Sequence, residues 1–278
     1  MIAFDFVYLR PESLAEAVKA FAEAEQAGRR PVYYAGGSEI VSFCRRGKMR
    51  PGAVIDIKAV PECRELSFES GRLRLGAALT LNELIAADCF PLLSAAAAGI
   101  ADHTLRNRIT LGGNIAGLLP YREALLPLLV SGGTAECAGP EGRRTVPLTE
   151  LFDRRLRLRP GELLTACELE EAAAAGAWFY RRRVQGTRTD YPLITACFLM
   201  RAGEIRLALG GALNYPFWAA EVDGLLNRRS VSAEQTAAAV LEKIGGVFRE
   251  DFRSSADYRR HLLKNILVEA LSELGGQQ

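Results

Sequence analysis

No two of the six cysteines form a C-x-x-C: Cys44, Cys63, Cys89, Cys137, Cys167 and Cys197 are scattered singly. That pattern fits neither a metal cluster nor a disulfide framework, and the thiols are expected as buried small hydrophobes in a reducing compartment. Histidine is scarce too, so a hydrolytic triad would have to draw on His103 or His261. No apolar run approaches the roughly 18 residues of a membrane span. The opening Met1-Ile2-Ala3-Phe4-Asp5 has neither the basic start nor the apolar stretch of a secretion signal, and a cytoplasmic location is expected. A net charge of +2 gives no electrostatic reason for a nucleic-acid or membrane partner. The G-x-G-x-x-G fingerprint is missing, which disfavours the common dinucleotide fold. Any redox work this chain does needs a borrowed cofactor.

What is present is glycine in pairs. Ile109-Thr110-Leu111-Gly112-Gly113-Asn114-Ile115 reads as a strand ending in a tight turn, with backbone amides facing outward at the start of a helix. Such a turn receives phosphate. A second copy of this grammar lies earlier, where Val32-Tyr33-Tyr34 runs into Ala35-Gly36-Gly37-Ser38-Glu39-Ile40. Two such turns suit one diphosphate. Gly132-Gly133, Gly210-Gly211 and Gly245-Gly246 are pairs as well, but they lack the strand before and the Ser or Asn after.

The 278 residues, 49% hydrophobic and 24% charged, suffice for about two domains with real cores. Phe4 to Tyr8 reads as a short strand, and Ser13 with Glu16 at capping-box spacing starts a helix that runs to about Ala27. A strand at Pro31 to Tyr34, a short helix from Ser38 and a strand at Val54 to Ile57 complete a β-α-β-β-type unit. Further on, Leu73 to Ala77 is a strand, Thr80 and Glu83 form a capping box, and Phe90 to Ala98 is a helix ending at Gly99. Ile100 to Arg108 is a polar connection. Ala124 to Val130 is a buried helix, and two strands make a hairpin round Gly139-Pro140-Glu141-Gly142, followed by a strand at Leu163 to Leu169. Glu170 to Gly176 is a composition shift and a domain boundary. Beyond it lie three strands, at Ala177 to Val184, Leu193 to Arg201 and Ile205 to Leu213, and three helices near Ala219 to Asn227, Ala233 to Ile244 and Ser255 to Leu274. Tyr258, Leu262, Ile266, Ala270 and Leu274 mark the core stripe of the last.

The order of motifs resembles the FAD-binding medium subunit of the molybdenum hydroxylases, the family of xanthine dehydrogenase and carbon monoxide dehydrogenase, almost from end to end. The residues that carry the resemblance are Pro11-x-Ser13-Leu14-x-Glu16-Ala17, Ala35 to Ser38, Val54 to Ile57, Leu75-Gly76-Ala77 and Arg106-Asn107. Thr110 to Ile115, Pro160 to Leu164, Leu209-Gly210-Gly211 and Asp251-x-Arg253-x-Ser255-x-x-Tyr258-Arg259 continue the series. The resemblance implies an α+β chain: a two-subdomain FAD-binding fold of the PCMH, or vanillyl-alcohol-oxidase-like, type at 1–57 and 58–170. A C-terminal domain with a small antiparallel sheet and helices follows at 171–278. It implies non-covalent FAD and the passing of electrons out of a holoenzyme. Molybdopterin is expected on a large partner subunit and 2Fe-2S centres on a small one, with NAD as one candidate acceptor.

By the same resemblance, Val32, Tyr33, Tyr34, Ala35, Gly36, Gly37, Ser38 and Glu39 form the first diphosphate loop, and Thr110, Leu111, Gly112, Gly113 and Asn114 the second. Ile100 and Ala101 fall where the family contacts the flavin, Leu164 near the isoalloxazine, and Arg183 where a lysine reaches the cofactor. After its second loop the family has Ser-Pro-x-x-Asp. This chain has Leu119-Pro120-Tyr121-Arg122-Glu123, so Glu123 replaces the aspartate and Leu119 a hydroxyl. Two rival readings stay open here: a standalone FAD-dependent oxidoreductase, and a scaffold subunit that has lost FAD.

Overall fold

The computed structural model describes residues 2–228, 231–246 and 248–275. Its first unit is β1 (Val7–Leu9), α1 (Leu14–Gln26), β2 (Pro31–Tyr34), α2 (Ser38–Arg45) and β3 (Ala53–Asp56). Ser13 caps α1, its hydroxyl accepting from the Glu16 amide at 3.2 Å. The three strands are all parallel, in the order β1-β3-β2. Parallel neighbours need a crossover, so a helix fills both connections; the expected short helix from Ser38 is α2, and the β-α-β-β-type unit is in full β-α-β-α-β. Leu14 and Ala17 of α1 pack on Ile55 of β3.

The second unit starts with a hairpin, β4 (Leu66–Glu69) and β5 (Arg72–Gly76). β4 was not anticipated: Leu66-Ser67-Phe68-Glu69 does alternate, but the run is only four residues long, and on this edge strand its two apolar side chains are exposed. Four helices follow: α3 (Leu81–Ala87), α4 (Pro91–Ala98), α5 (His103–Arg106) within the expected polar connection, and α6 (Leu111–Ala116). Next come α7 (Leu125–Val130), with all six residues buried, β6 (Thr134–Gly139), β7 (Gly142–Pro147) and α8 (Leu148–Leu151). The unit ends with the small pair β8 (Phe152–Asp153) and β9 (Arg155–Leu156) and with β10 (Leu163–Glu170). β4-β5-β10-β6-β7 form one antiparallel sheet, whose inner face packs on α3, α4, α6 and α7 in a single apolar cluster.

α9 (Glu171–Ala174) occupies the composition shift, and β11 (Trp178–Arg183), β12 (Ile194–Arg201), β13 (Glu204–Gly210) and β14 (Phe217–Trp218) form the C-terminal antiparallel sheet. Its central strands are covered on both sides. Cys197, Leu199 and Ala208 join the cluster of α4 and α7, while Ala196, Phe198, Leu207 and Leu209 face α10 (Ala220–Leu226), α11 (Ala233–Ile244) and α12 (Ala256–Gly275). That explains why these strands read as continuous apolar runs. Among the cysteines, Cys89 is partly exposed and the other five are buried.

The buried stripe of α12 differs from the expected one at its start. Arg259 and Leu263 point inward, whereas Tyr258 is 51% exposed. The reason is polar: the Arg259 guanidinium, fully buried, donates to Asp251 Oδ1 at 2.8 Å, to the Gly211 carbonyl at 3.1 Å and to the Leu193 carbonyl. Apolar periodicity cannot register such an anchor. Removing it takes a donor from two carbonyls, while Asp251 keeps Arg249 and Arg253, so Arg259→Leu is expected to lose about 2 kcal/mol in urea unfolding.

The capping box at α3 is reciprocal: the Thr80 hydroxyl accepts from the Glu83 amide, and Glu83 accepts from the Thr80 amide and from Arg64. Burial alone would raise the Glu83 carboxyl, but the Arg64 guanidinium and the Thr80 donors outweigh it and hold the pKa down at about 2 against an ordinary 4.5. A depressed carboxyl stabilises the fold fully above its unfolded pKa and ceases to do so as pH falls through the folded one. In acid titrations followed by circular dichroism, Glu83→Gln should therefore flatten the stability loss between about pH 4.5 and 2.

Candidate functional site

The first loop keeps the predicted grammar of strand, turn and helix. Along β2 the side chains alternate. Tyr33 stacks on Phe21 of α1, ring centroids 4.7 Å apart, and donates to the Gly161 carbonyl at 2.9 Å, while Tyr34 lies over the turn beneath the Lys58 ammonium. A Cβ at Gly36 would fall 1.6 Å from the carbonyl oxygen of Arg108, and one at Gly37 would fall 2.1 Å from the Tyr34 ring. Gly37 also has φ +71°, which side chains resist. It caps α2 without a side-chain bond, so among the described residues the first-turn amides of Ser38, Glu39 and Ile40 have no protein acceptor. The Ser38 hydroxyl beside them is buried and also unpartnered.

The second loop departs from expectation. No strand precedes it; Thr110 makes only an isolated bridge with Thr80 and then caps α6, its hydroxyl accepting from the Gly113 amide at 3.2 Å. The Leu111 and Gly112 amides do not point outward: they donate to the carbonyls of Leu79 at 2.9 Å and Ala77 at 2.8 Å. Gly112 is needed for close packing, since a Cβ there would meet that of Ala77 at 2.7 Å. Gly113 is exposed and does not have positive φ, so its value is a bare surface. Asn114 is half-buried, and its Oδ1 accepts from the Ala124 amide at 3.1 Å.

Glu39 ties the loops together. Its two carboxylate oxygens accept from the Leu118 amide at 2.7 Å and the Leu119 amide at 3.2 Å. Glu123, 3% exposed, closes the far end of that segment, accepting from Arg182 Nε at 2.9 Å and the Thr195 hydroxyl at 2.6 Å. Asp102, by contrast, is an exposed cap of α5, so the two carboxylates do not pair. On β11, Arg182 faces the first two units. Arg183, one residue on, is exposed on the opposite side with Arg181, which pairs with Glu269 of α12. Counting along a charged triplet cannot set this one-residue register; the Glu123 partner does.

Ile100 is buried, and Ala101 has φ +49°. Arg106, absent from the predicted site, holds both carbonyls, at 3.0 and 2.9 Å. Its signal was the Arg106-Asn107 pair in the motif series. Just before this segment, a Cβ at Gly99 would fall 2.7 Å from the Tyr180 hydroxyl, which brings β11 against it. Leu164 is buried in the cluster that contains Ile100, at a register shift of β10. The stacked pair Tyr121 and Tyr191, centroids 4.5 Å apart, was also missed; Tyr191 lies close enough to feel the charges of Glu39 and Arg46. From the start of α2 an open groove of about 360 Å³ runs along Ser38, Val41, Ser42, Arg45 and Arg46. His103 and His261 are both exposed.

A helix start with unpartnered amides and an orphaned hydroxyl fits a phosphate group. The fit rests on the first loop; the second contributes proximity rather than amide donors.

Residues 3–169 match the family described as the FAD binding domain in molybdopterin dehydrogenase, and residues 179–274 match the CO dehydrogenase flavoprotein C-terminal domain. The chain is 28% identical to the xanthine dehydrogenase FAD-binding subunit of Escherichia coli O157:H7 over 99% of each chain. It is 29% identical to the carbon monoxide dehydrogenase medium chain of Hydrogenophaga pseudoflava over 98% of each. The carbon monoxide dehydrogenase structure from that organism superposes with a TM-score of 0.87 at 27% identity, covering 98% of both chains. Quinoline 2-oxidoreductase from Pseudomonas putida 86 gives 0.83, also at 27% identity and 98% coverage of both. The chain belongs to the family of FAD-binding medium subunits of the xanthine and carbon monoxide dehydrogenase type of molybdenum hydroxylase.

Proposed function

We propose that this chain is the flavin relay of a multi-subunit molybdenum hydroxylase, taking electrons from 2Fe-2S centres on a small partner subunit and delivering them through FAD to an acceptor. Molybdopterin and the oxidised substrate then belong to a large partner subunit. The observation that carries the reading is the unpartnered donor set at the start of α2, the three first-turn amides and the buried Ser38 hydroxyl. Bound flavin supplies one- and two-electron chemistry, and its protein has to hold it still, balance its charge and keep water from it. Ser38 and the α2 amides would receive the diphosphate, with Gly113 and Asn114 walling it. Arg106 fixes the Ile100–Ala101 carbonyls, and the Glu123–Arg182 pair locks the C-terminal sheet to the FAD-binding half. Of the residues named from the sequence, Tyr33 serves packing and Arg182 takes the place given to Arg183. We divide the chain at 57/58 and 170/171. The cytoplasm is the proposed location; no helix of the described residues is long and apolar enough to cross a membrane.

Two substitutions test the site. Ser38→Ala removes an orphaned hydroxyl, so the flavin-free chain should melt no lower than wild type while FAD affinity falls about tenfold. Gly113→Val puts a branched side chain on an exposed surface, 2.9 Å from the Thr110 hydroxyl at its Cβ, and should abolish stable flavin binding with the far-ultraviolet spectrum unchanged. Flavin absorbance after reconstitution and desalting reads both; wild-type flavin content in Gly113→Val would refute the site. Purification from the native host should bring down a molybdopterin-binding and an iron–sulfur chain.

A further inference from the structure

We propose that Arg122 is the counter-charge for the cofactor's diphosphate. The inference rests on the FAD reading above and adds a residue that neither glycine loop contains.

Arg122 is 5% exposed and has φ +34°, a left-handed conformation that side chains seldom adopt. Its guanidinium lies 4.8 Å over the Phe152 ring and donates from one terminal nitrogen to the Arg154 carbonyl. Nε is buried without an acceptor, and among the described residues no carboxylate forms an ion pair with it. A guanidinium with five N–H donors is costly to bury in this state. Burial pushes its pKa down to about 10, with the Arg155 charge adding to the effect and Glu39 opposing it. Even so, Arg122 stays charged at neutral pH.

The acidic group tied to its segment is Glu39, in the first turn of α2, which is bonded to the backbone four and three residues before Arg122. Both Glu39 oxygens are already engaged by the Leu118 and Leu119 amides. A carboxylate in that turn would cancel much of the roughly half-unit positive charge that a helix start offers. A doubly charged diphosphate would then meet less attraction from the helix start itself. Arg122 restores it, since its fixed cation offsets Glu39 and leaves the amides and the Ser38 hydroxyl free to hold phosphate. The adjoining Leu118, Leu119 and Pro120 carry no side-chain donor that could do the same.

The test is calorimetric titration of the full chain with FAD, ADP and adenosine, for wild type, Arg122→Gln and Arg122→Lys. Loss of the charge should weaken FAD and ADP alike by about 10- to 100-fold and leave adenosine unchanged, while Arg122→Lys stays within a few-fold of wild type. The melting temperature of flavin-free Arg122→Gln should equal or exceed that of wild type, because an unpaired buried charge is gone. Arg122→Gln binding FAD and ADP as wild type does would overturn the assignment, as would equal weakening of all three ligands. Wild-type chain that binds neither FAD nor ADP would overturn the cofactor reading, and this assignment with it.

Discussion

The carbonyl oxygen of Arg108 occupies the place where a side chain at Gly36 would begin, 1.6 Å from its Cβ position. The turn after β2 and the segment entering α6 therefore touch backbone to backbone, and two units with separate sheets share a cleft. Glu39 strengthens that contact by gripping the Leu118 and Leu119 amides from the first turn of α2. The α2 start is thus held rigidly by neighbours that do not consume its own amides. A preorganised donor set of this kind holds an anion without first having to be ordered.

The C-terminal sheet completes the arrangement. Its strands β12 and β13 are buried on both faces, joined to the FAD-binding half by α7 and to their own helices by Phe198, Leu207 and Leu209. The Glu123–Arg182 pair, with side-chain exposures of 4% and 10%, sits at that seam and fixes which face of β11 meets the cleft. Buried ion pairs contribute little net stability, and here the pair fixes the position of one sheet against the Leu118 to Glu123 segment.

Much of this was legible in the sequence. Ser13 and Thr80 each mark a helix start by a short-range hydrogen bond from the residue three positions on, and such local chemistry can be read directly. The strand, turn and helix from Val32 to Ser38 were legible from their glycines, Gly37 having φ +71°. Features set by distant partners were hidden. Nothing near Gly112 announces that its amide belongs to Ala77, and nothing near Arg259 announces Leu193 and Gly211. Arg182 against Arg183 is the sharpest case: both look alike in sequence, and Glu123, 59 positions away, decides between them. The hydroxyl missing at Leu119 was visible, but the buried cation three residues later acquires meaning only once its lack of a partner is known.

The most direct measurement is a crystal structure of the chain with FAD bound. The account predicts the diphosphate at the first turn of α2, its oxygens accepting from the Ser38 hydroxyl and the amides of Ser38 to Ile40, with Gly113 against it and the Leu111 and Gly112 amides still bonded to Leu79 and Ala77. A diphosphate held instead by the α6 amides, or flavin bound away from the Gly36–Arg108 contact, would contradict it.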